Sequence, residues 1–241
     1  MRGANLLAGF ADWAQRDPAR MACHHDAGVC SYAELARGVG QVAGWLTARG
    51  VVPDQRVGVC TGRNLAGYTG LLGAVWAGVT YVPLNPKLPA VRLARMVQRA
   101  GLQALIVDRA GWELLHDTAL HPHLPPHVLY LGDMDARAPL GRLVSEGGER
   151  LDPTLFLPTP RAVLGEHGAY IMFTSGTTGE PKGIRVTVAN LRHYLDFKQR
   201  RYAIKPEDRL SQLFELSFDA SVFDVFMALN HGASFHTVPE N

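Results

Sequence analysis

The chain has 241 residues, 47% of them hydrophobic and 19% charged, with a formal net charge of +2. That is enough for one large or two small domains with a sizeable core, and neither the balance nor the scatter of Lys and Arg predicts a nucleic-acid partner. Cys23, Cys30 and Cys60 lack metal-ligand spacing and read as reduced thiols of a cytoplasmic protein; no targeting segment is visible, and the longest apolar run, Leu71 to Leu84, is too short to span a bilayer.

In chain order, Leu6, Leu7, Phe10 and Trp13 recur at helical spacing and predict a short amphipathic helix within residues 5–16. Ser31 followed by Glu34 is a capping box that opens a second helix, closed by Gly50. Arg56 to Cys60 reads as a strand, Asn64 to Ala77 as a helix, and Ala77 to Pro86 as a return into the sheet and out into a turn. Pro89 to Ala100 is a helix with Pro at its start and Gly101 at its end, and Ala104 to Val107 and Val128 to Leu131 are strands. This alternation predicts an α/β fold, doubly wound, with largely parallel sheets and flanking helices. The histidines between His116 and His127 lie among prolines without a helical or strand frame, so they predict an exposed loop and no metal site. Gly132 to Gly168, rich in Gly, Pro, Arg and Asp, reads as a boundary. It divides the chain into a first α/β sub-domain (1–131), a connecting segment (132–168) and the start of a second sub-domain (169–241).

Directly behind the boundary, the apolar run Ala169 to Phe173 has the length of a buried strand. Thr174-Ser175-Gly176-Thr177-Thr178-Gly179-Glu180-Pro181-Lys182-Gly183 follows, with three glycines, a proline and four hydroxyl residues in ten positions. Glycines let backbone N–H groups turn toward an anion, hydroxyls donate to phosphate oxygens, and Lys182 adds a mobile positive charge. The pattern therefore suits a polyphosphate. It is not a Walker loop, which needs Gly-Lys-Ser/Thr leading into a helix; here Lys182 precedes Gly183 and Ile184. Gly183 to Thr187 is then a strand, and Val188 to Tyr202 a helix that Thr187 can cap. Arg209 to Leu216 is strand-like. From Ser217, Val222, Phe223, Phe226 and Leu229 share one apolar helix face, with Asp219 near the helix start, where a carboxylate has an ordinary explanation in capping.

The stretch Thr174 to Lys182 resembles the phosphate-binding signature of the acyl-adenylate-forming superfamily, which includes acyl-CoA ligases, luciferases and the adenylation domains of nonribosomal peptide synthetases. Ser31-Tyr32-Ala33-Glu34-Leu35 resembles the first core motif of the peptide-synthetase domains. Ala77 to Asn85 resembles the second, with Thr80 and Asn85 where the motif has Ala and Asp. Val188-Ala189-Asn190 stands where many relatives have His-Arg-Asn, so no role for that histidine carries over.

The resemblance implies ATP-dependent activation of an amino acid carboxylate to an aminoacyl-AMP, with release of pyrophosphate and transfer to a carrier-protein thiol. Thr174, Ser175, Gly176, Thr177, Thr178 and Gly179 would hold the ATP phosphates and Lys182 would act in catalysis. Phe218-Asp219-Ala220-Ser221 is similar to the motif whose aspartate holds the substrate's α-ammonium. Asp219 would take that role, with Ala220 and Phe223 lining the side-chain pocket, a small and an aromatic wall that suit an apolar or aromatic substrate. Segments for the adenine, the ribose and the Mg²⁺ ligand, and the C-terminal lysine domain, would lie beyond residue 241. The expected product is thus the N-terminal half of an adenylation enzyme, with an unpaired edge on its second sheet, a possible complementary C-terminal half and no membrane partner. Two alternatives stand beside it: an acyl- or aryl-CoA ligase fragment, and a noncatalytic fragment that binds nucleotide or a partner.

Overall fold

Short runs of branched and aromatic residues, cut by Gly and Pro, give this chain its strands. The computed structural model describes residues 3, 5–25, 27–132, 148–175 and 180–239, with Ser175 described by its backbone alone. In order the elements are α1 (Ala8–Arg16), β1 (Met21–His25), β2 (Gly28–Ser31), α2 (Tyr32–Ala48), β3 (Arg56–Cys60), α3 (Leu65–Trp76), β4 (Thr80–Leu84), α4 (Ala90–Ala100), β5 (Ala104–Val107) and α5 (Arg109–Leu114). A short 3-10 turn (His121–His123) follows, then β6 (His127–Tyr130), β7 (Gly148–Arg150), β8 (Gly168–Ser175), β9 (Pro181–Thr187), α6 (Val188–Tyr202), β10 (Arg209–Gln212), α7 (Ala220–Asn230) and β11 (Ser234–Thr237).

Helices begin where side chains satisfy the free N–H groups of the first turn. Ser31 and Glu34 form the capping box expected of them, the Ser31 N–H donating to Glu34 Oε2 at 2.8 Å. Asn64 accepts from the Gly67 N–H at 2.9 Å to start α3, and Asp108 accepts from the Gly111 N–H at 2.9 Å to start α5. Thr187 caps α6 in a second box, with Asn190. Gly101 closes α4 at φ +60° and Ala203 closes α6 at φ +47°, the left-handed conformation that ends many helices.

A seven-stranded sheet runs β7-β6-β5-β3-β4-β8-β9, parallel throughout except for the antiparallel β8–β9 hairpin at its edge. A four-stranded sheet runs β10-β11-β1-β2, with β1 parallel to β11 and antiparallel to β2. The fold is α/β, with mixed, largely parallel sheets flanked by helices. The sheets do not follow the division drawn at 131 and 168. β8 and β9 extend the sheet that holds β3 to β6, and β10 and β11 join β1 and β2 from the other end of the chain. Nor is 132–168 a plain connection, since β7 pairs with β6, and Leu155 and Leu157 pack against the core. The main core lies under α2, α3 and α7 and includes Phe10, Tyr32, Trp45, Tyr68 and Phe226, all buried. Among the described residues no helix is long and apolar enough to cross a membrane, and no three His, Cys, Asp or Glu side chains gather as a metal site would require.

Candidate active site

The β8–β9 hairpin carries Thr174 and Lys182, the described residues of the expected phosphate loop, on facing strands. β8 enters the sheet beside β4, with Ala169 and Met172 buried. Its rungs pair Phe173 with Gly183, Thr174 with Lys182 and Ser175 with Pro181. Thr174 and Lys182 are therefore opposite each other on the last rung but one, both exposed. The Thr174 hydroxyl donates to the Lys182 carbonyl at 3.5 Å, a long and weak contact that its proton can exchange for a stronger acceptor. Lys182 has no carboxylate partner among the described residues. The Ser175 side chain and Gly176, Thr177, Thr178 and Gly179 lie outside the described residues.

Asp219 stands at the cap position of α7, but its side chain makes no capping bond. The capping expected there is absent because Asp219 is itself in a helical conformation, at φ −62° and ψ −26°, so its carboxylate does not fold back over the first turn. The turn is tied instead by Ser221, whose buried hydroxyl donates to the Phe218 carbonyl at 2.6 Å. Asp219 is left exposed, Ala220 and Phe223 half-buried.

Two tyrosines connect Asp219 to neighbouring elements. Burial, and then the Asp219 charge, push the Tyr170 phenol up to about 12. Tyr170 is on β8, on the same strand as Thr174, so the hairpin and the Asp219 turn share one neighbourhood. Tyr194 on α6 is raised by burial and then by the charges of Asp219 and Asp224. Along α6, Tyr194, Lys198 and Tyr202 fall one turn apart. The Lys198 ammonium lies 5.2 Å from the Tyr194 ring, 5.5 Å from Tyr202 and 5.6 Å from Phe223, all within cation–π range. Tyr202 meets Phe223 edge-on at 5.5 Å. Phe223 is thus held from behind by an aromatic stripe that carries its own cation.

The family model described as AMP-binding enzyme matches residues 10–241. The chain belongs to this family. Among curated proteins, it is 34% identical over 233 residues to the AMB antimetabolite synthetase AmbB of Pseudomonas aeruginosa, covering 95% of this chain and 17% of that protein. Among solved structures, IdnL7 matches with a TM-score of 0.82 at 36% identity, over 98% of this chain and 45% of that one. The nonribosomal peptide synthetase FmoA3, in a form bound to α-methyl-L-serine-AMP, matches with a TM-score of 0.76 at 29% identity, over 97% of this chain and 24% of that one. A form of FmoA3 bound to AMPPNP matches with a TM-score of 0.75 at 28% identity. The chain spans less than half the length of each of these relatives.

Within this AMP-binding chain, sequence reasoning passed over Tyr170, Tyr194, Lys198, Tyr202 and Asp224. The recurrence of Tyr194, Lys198 and Tyr202 at every fourth residue was the available signal: three long side chains on one helix face with both charge and aromatic surface. Asp224 has no such signal. It follows Phe223 directly, and burial pushes its carboxyl up to about 6.

Proposed function

We propose that this chain is the substrate- and phosphate-gripping part of an enzyme that joins an amino acid carboxylate to AMP and releases pyrophosphate. The aminoacyl group would then pass to a carrier-protein thiol, in the cytoplasm. The observation that carries the reading is the state of Asp219: a carboxylate at a helix start, free of capping bonds, whose charge reaches the buried Tyr170 and the exposed Tyr194. A substrate ammonium is matched by a charged acceptor that is free to bond it, and Asp219 offers one. Ala220 and Phe223, on the same turn of α7, are placed to meet the substrate's side chain.

ATP, when bound with Mg²⁺, supplies the adenylyl group and the pyrophosphate leaving group. The described residues fit it: Thr174 and Lys182, both exposed, are cross-strand partners in one hairpin, and Lys182 has no carboxylate partner among the described residues. Thr174 would donate to a phosphate oxygen, with Ser175 and residues 176–179 completing the cradle, and Lys182 would offset charge growing on the phosphates as the bond breaks. The Mg²⁺ ligand would come from outside these residues. Asp219→Ala in the full-length protein should abolish amino-acid-dependent exchange of labelled pyrophosphate into ATP. Undiminished exchange, or equal exchange with acids that lack an amine, would sink the assignment.

A further inference from the structure

Pro181, the first residue of β9, faces Ser175 across the hairpin and has no N–H to give the ladder. Proline is at home at the first residue of an edge strand, and β9 begins here, directly before Lys182. A second hold on the chain there comes from another element. Arg95 Nη1 donates to Glu180 Oε1 at 2.9 Å, and Arg99 Nη2 donates to Glu180 Oε2 at 3.0 Å. Arg99 Nη1 also donates to the Pro181 carbonyl at 3.0 Å. Both arginines lie one turn apart on α4, whose opposite face is buried through Leu93, Ala94, Met96, Val97 and Ala100. So a helix anchored in the core grips both oxygens of one carboxylate and the next carbonyl.

We propose that Arg95 and Arg99 are positioning residues for Lys182, acting through Glu180 and Pro181, and that the ligand they prepare it for is a polyphosphate. Exposed ion pairs contribute little to global stability. Here their effect is geometric: the start of β9 is tied to α4 as well as to β8, so Lys182 leaves the backbone at a fixed point opposite Thr174. Bidentate, charge-assisted contacts from planar guanidinium groups suit that task better than single lysine contacts would. The inference deepens the functional reading above and rests on it for the identity of the polyphosphate.

Glu180→Gln separates positioning from simple charge. If the arginines only attract anions, removing the negative charge beside them tightens polyphosphate binding. If they position Lys182 through Glu180, the same change weakens it. The test is calorimetric titration of the full-length protein with inorganic tripolyphosphate, on wild type, Glu180→Gln and the pair Arg95→Gln with Arg99→Gln. The expected result is about a fivefold loss of affinity in both variants, with an unchanged melting temperature. Unchanged or tighter binding by Glu180→Gln overturns the proposal, and so does a wild type that binds no tripolyphosphate. If the affinities follow expectation but wild type exchanges no pyrophosphate with any amino acid, the positioning role stands and the adenylation reading fails.

Discussion

Asp224 is half-buried one position beyond Phe223, and its carboxyl is lifted to about 6 by loss of water around the charged form. In an unfolded chain an Asp titrates near 3.9. Between those values the folded state holds the proton more tightly, so stability falls as pH rises through about 6 and is fully retained below about 4. Because part of the side chain meets solvent, the cost of the charged form is discounted to roughly 1 kcal/mol. Asp224→Asn should therefore raise the free energy of unfolding by about 1 kcal/mol at pH 7.5 and by almost nothing at about pH 3, measured by urea denaturation at both. Equal effects at the two pH values would show that burial is not what perturbs this group. Asp219 could be picked out from sequence because Phe218-Asp219-Ala220-Ser221 is a specific string. Asp224 and Tyr194 could not, since their significance depends on α6 lying against α7, and nothing local encodes that packing.

Helix ends were the most readable elements. Ser31 with Glu34, and Thr187 before Val188, announce their helices by residue type alone. Ala203 announces nothing, yet it ends α6 at φ +47°, held by Gln199, whose amide donates to the Ile204 carbonyl and accepts from the Ile204 N–H, both at 3.1 Å. A left-handed L-residue costs about 1–2 kcal/mol, partly offset in glycine by greater freedom of the unfolded chain. Ala203→Gly should therefore stabilise the protein by about 0.5–1 kcal/mol in thermal denaturation, and a loss would mean the Gln199 bracket is worth more than the strain. The segment 132–168 was harder, because its Gly and Pro content hides the packing of Leu155 and Leu157. The clue sat in another element: Gly40 and Gly44, one turn apart on α2. A Cβ on Gly44 would stand 2.5 Å from the Leu155 carbonyl carbon, so this glycine is what lets the segment lie against the helix. Gly44→Ala should cost about 1–3 kcal/mol, read by urea denaturation, with little effect if the segment can lift away.

At the scale of the whole molecule, the decisive contacts join residues near the two ends of the sequence, and no local pattern predicts them. β1 lies between β2 and β11, so the N-terminal hairpin completes a sheet whose other strands come after residue 208. The Tyr32 hydroxyl donates to the Ala233 carbonyl at 2.7 Å, and Gly232, at φ +78°, passes under the Trp13 ring. Asn230 is the centre of this junction. Its Oδ1 accepts from the Phe10 N–H at 3.2 Å, a first-turn donor of α1 that has no side-chain cap of its own, while its Nδ2 donates to the carbonyls of Leu6 at 2.9 Å and Phe226 at 3.0 Å. One side chain at the end of α7 thus caps a helix at the other end of the sequence. Asn230→Ala strands a helix N–H and a loop carbonyl, which should cost about 2 kcal/mol. If the ends form one cooperative unit, the loss appears as a single shifted urea transition, and amide exchange speeds up by the same factor in β1 and β11. Faster exchange confined to β1 and β2, with β11 still protected, would show that the hairpin opens by itself and that the four-stranded sheet is two units in contact, not one.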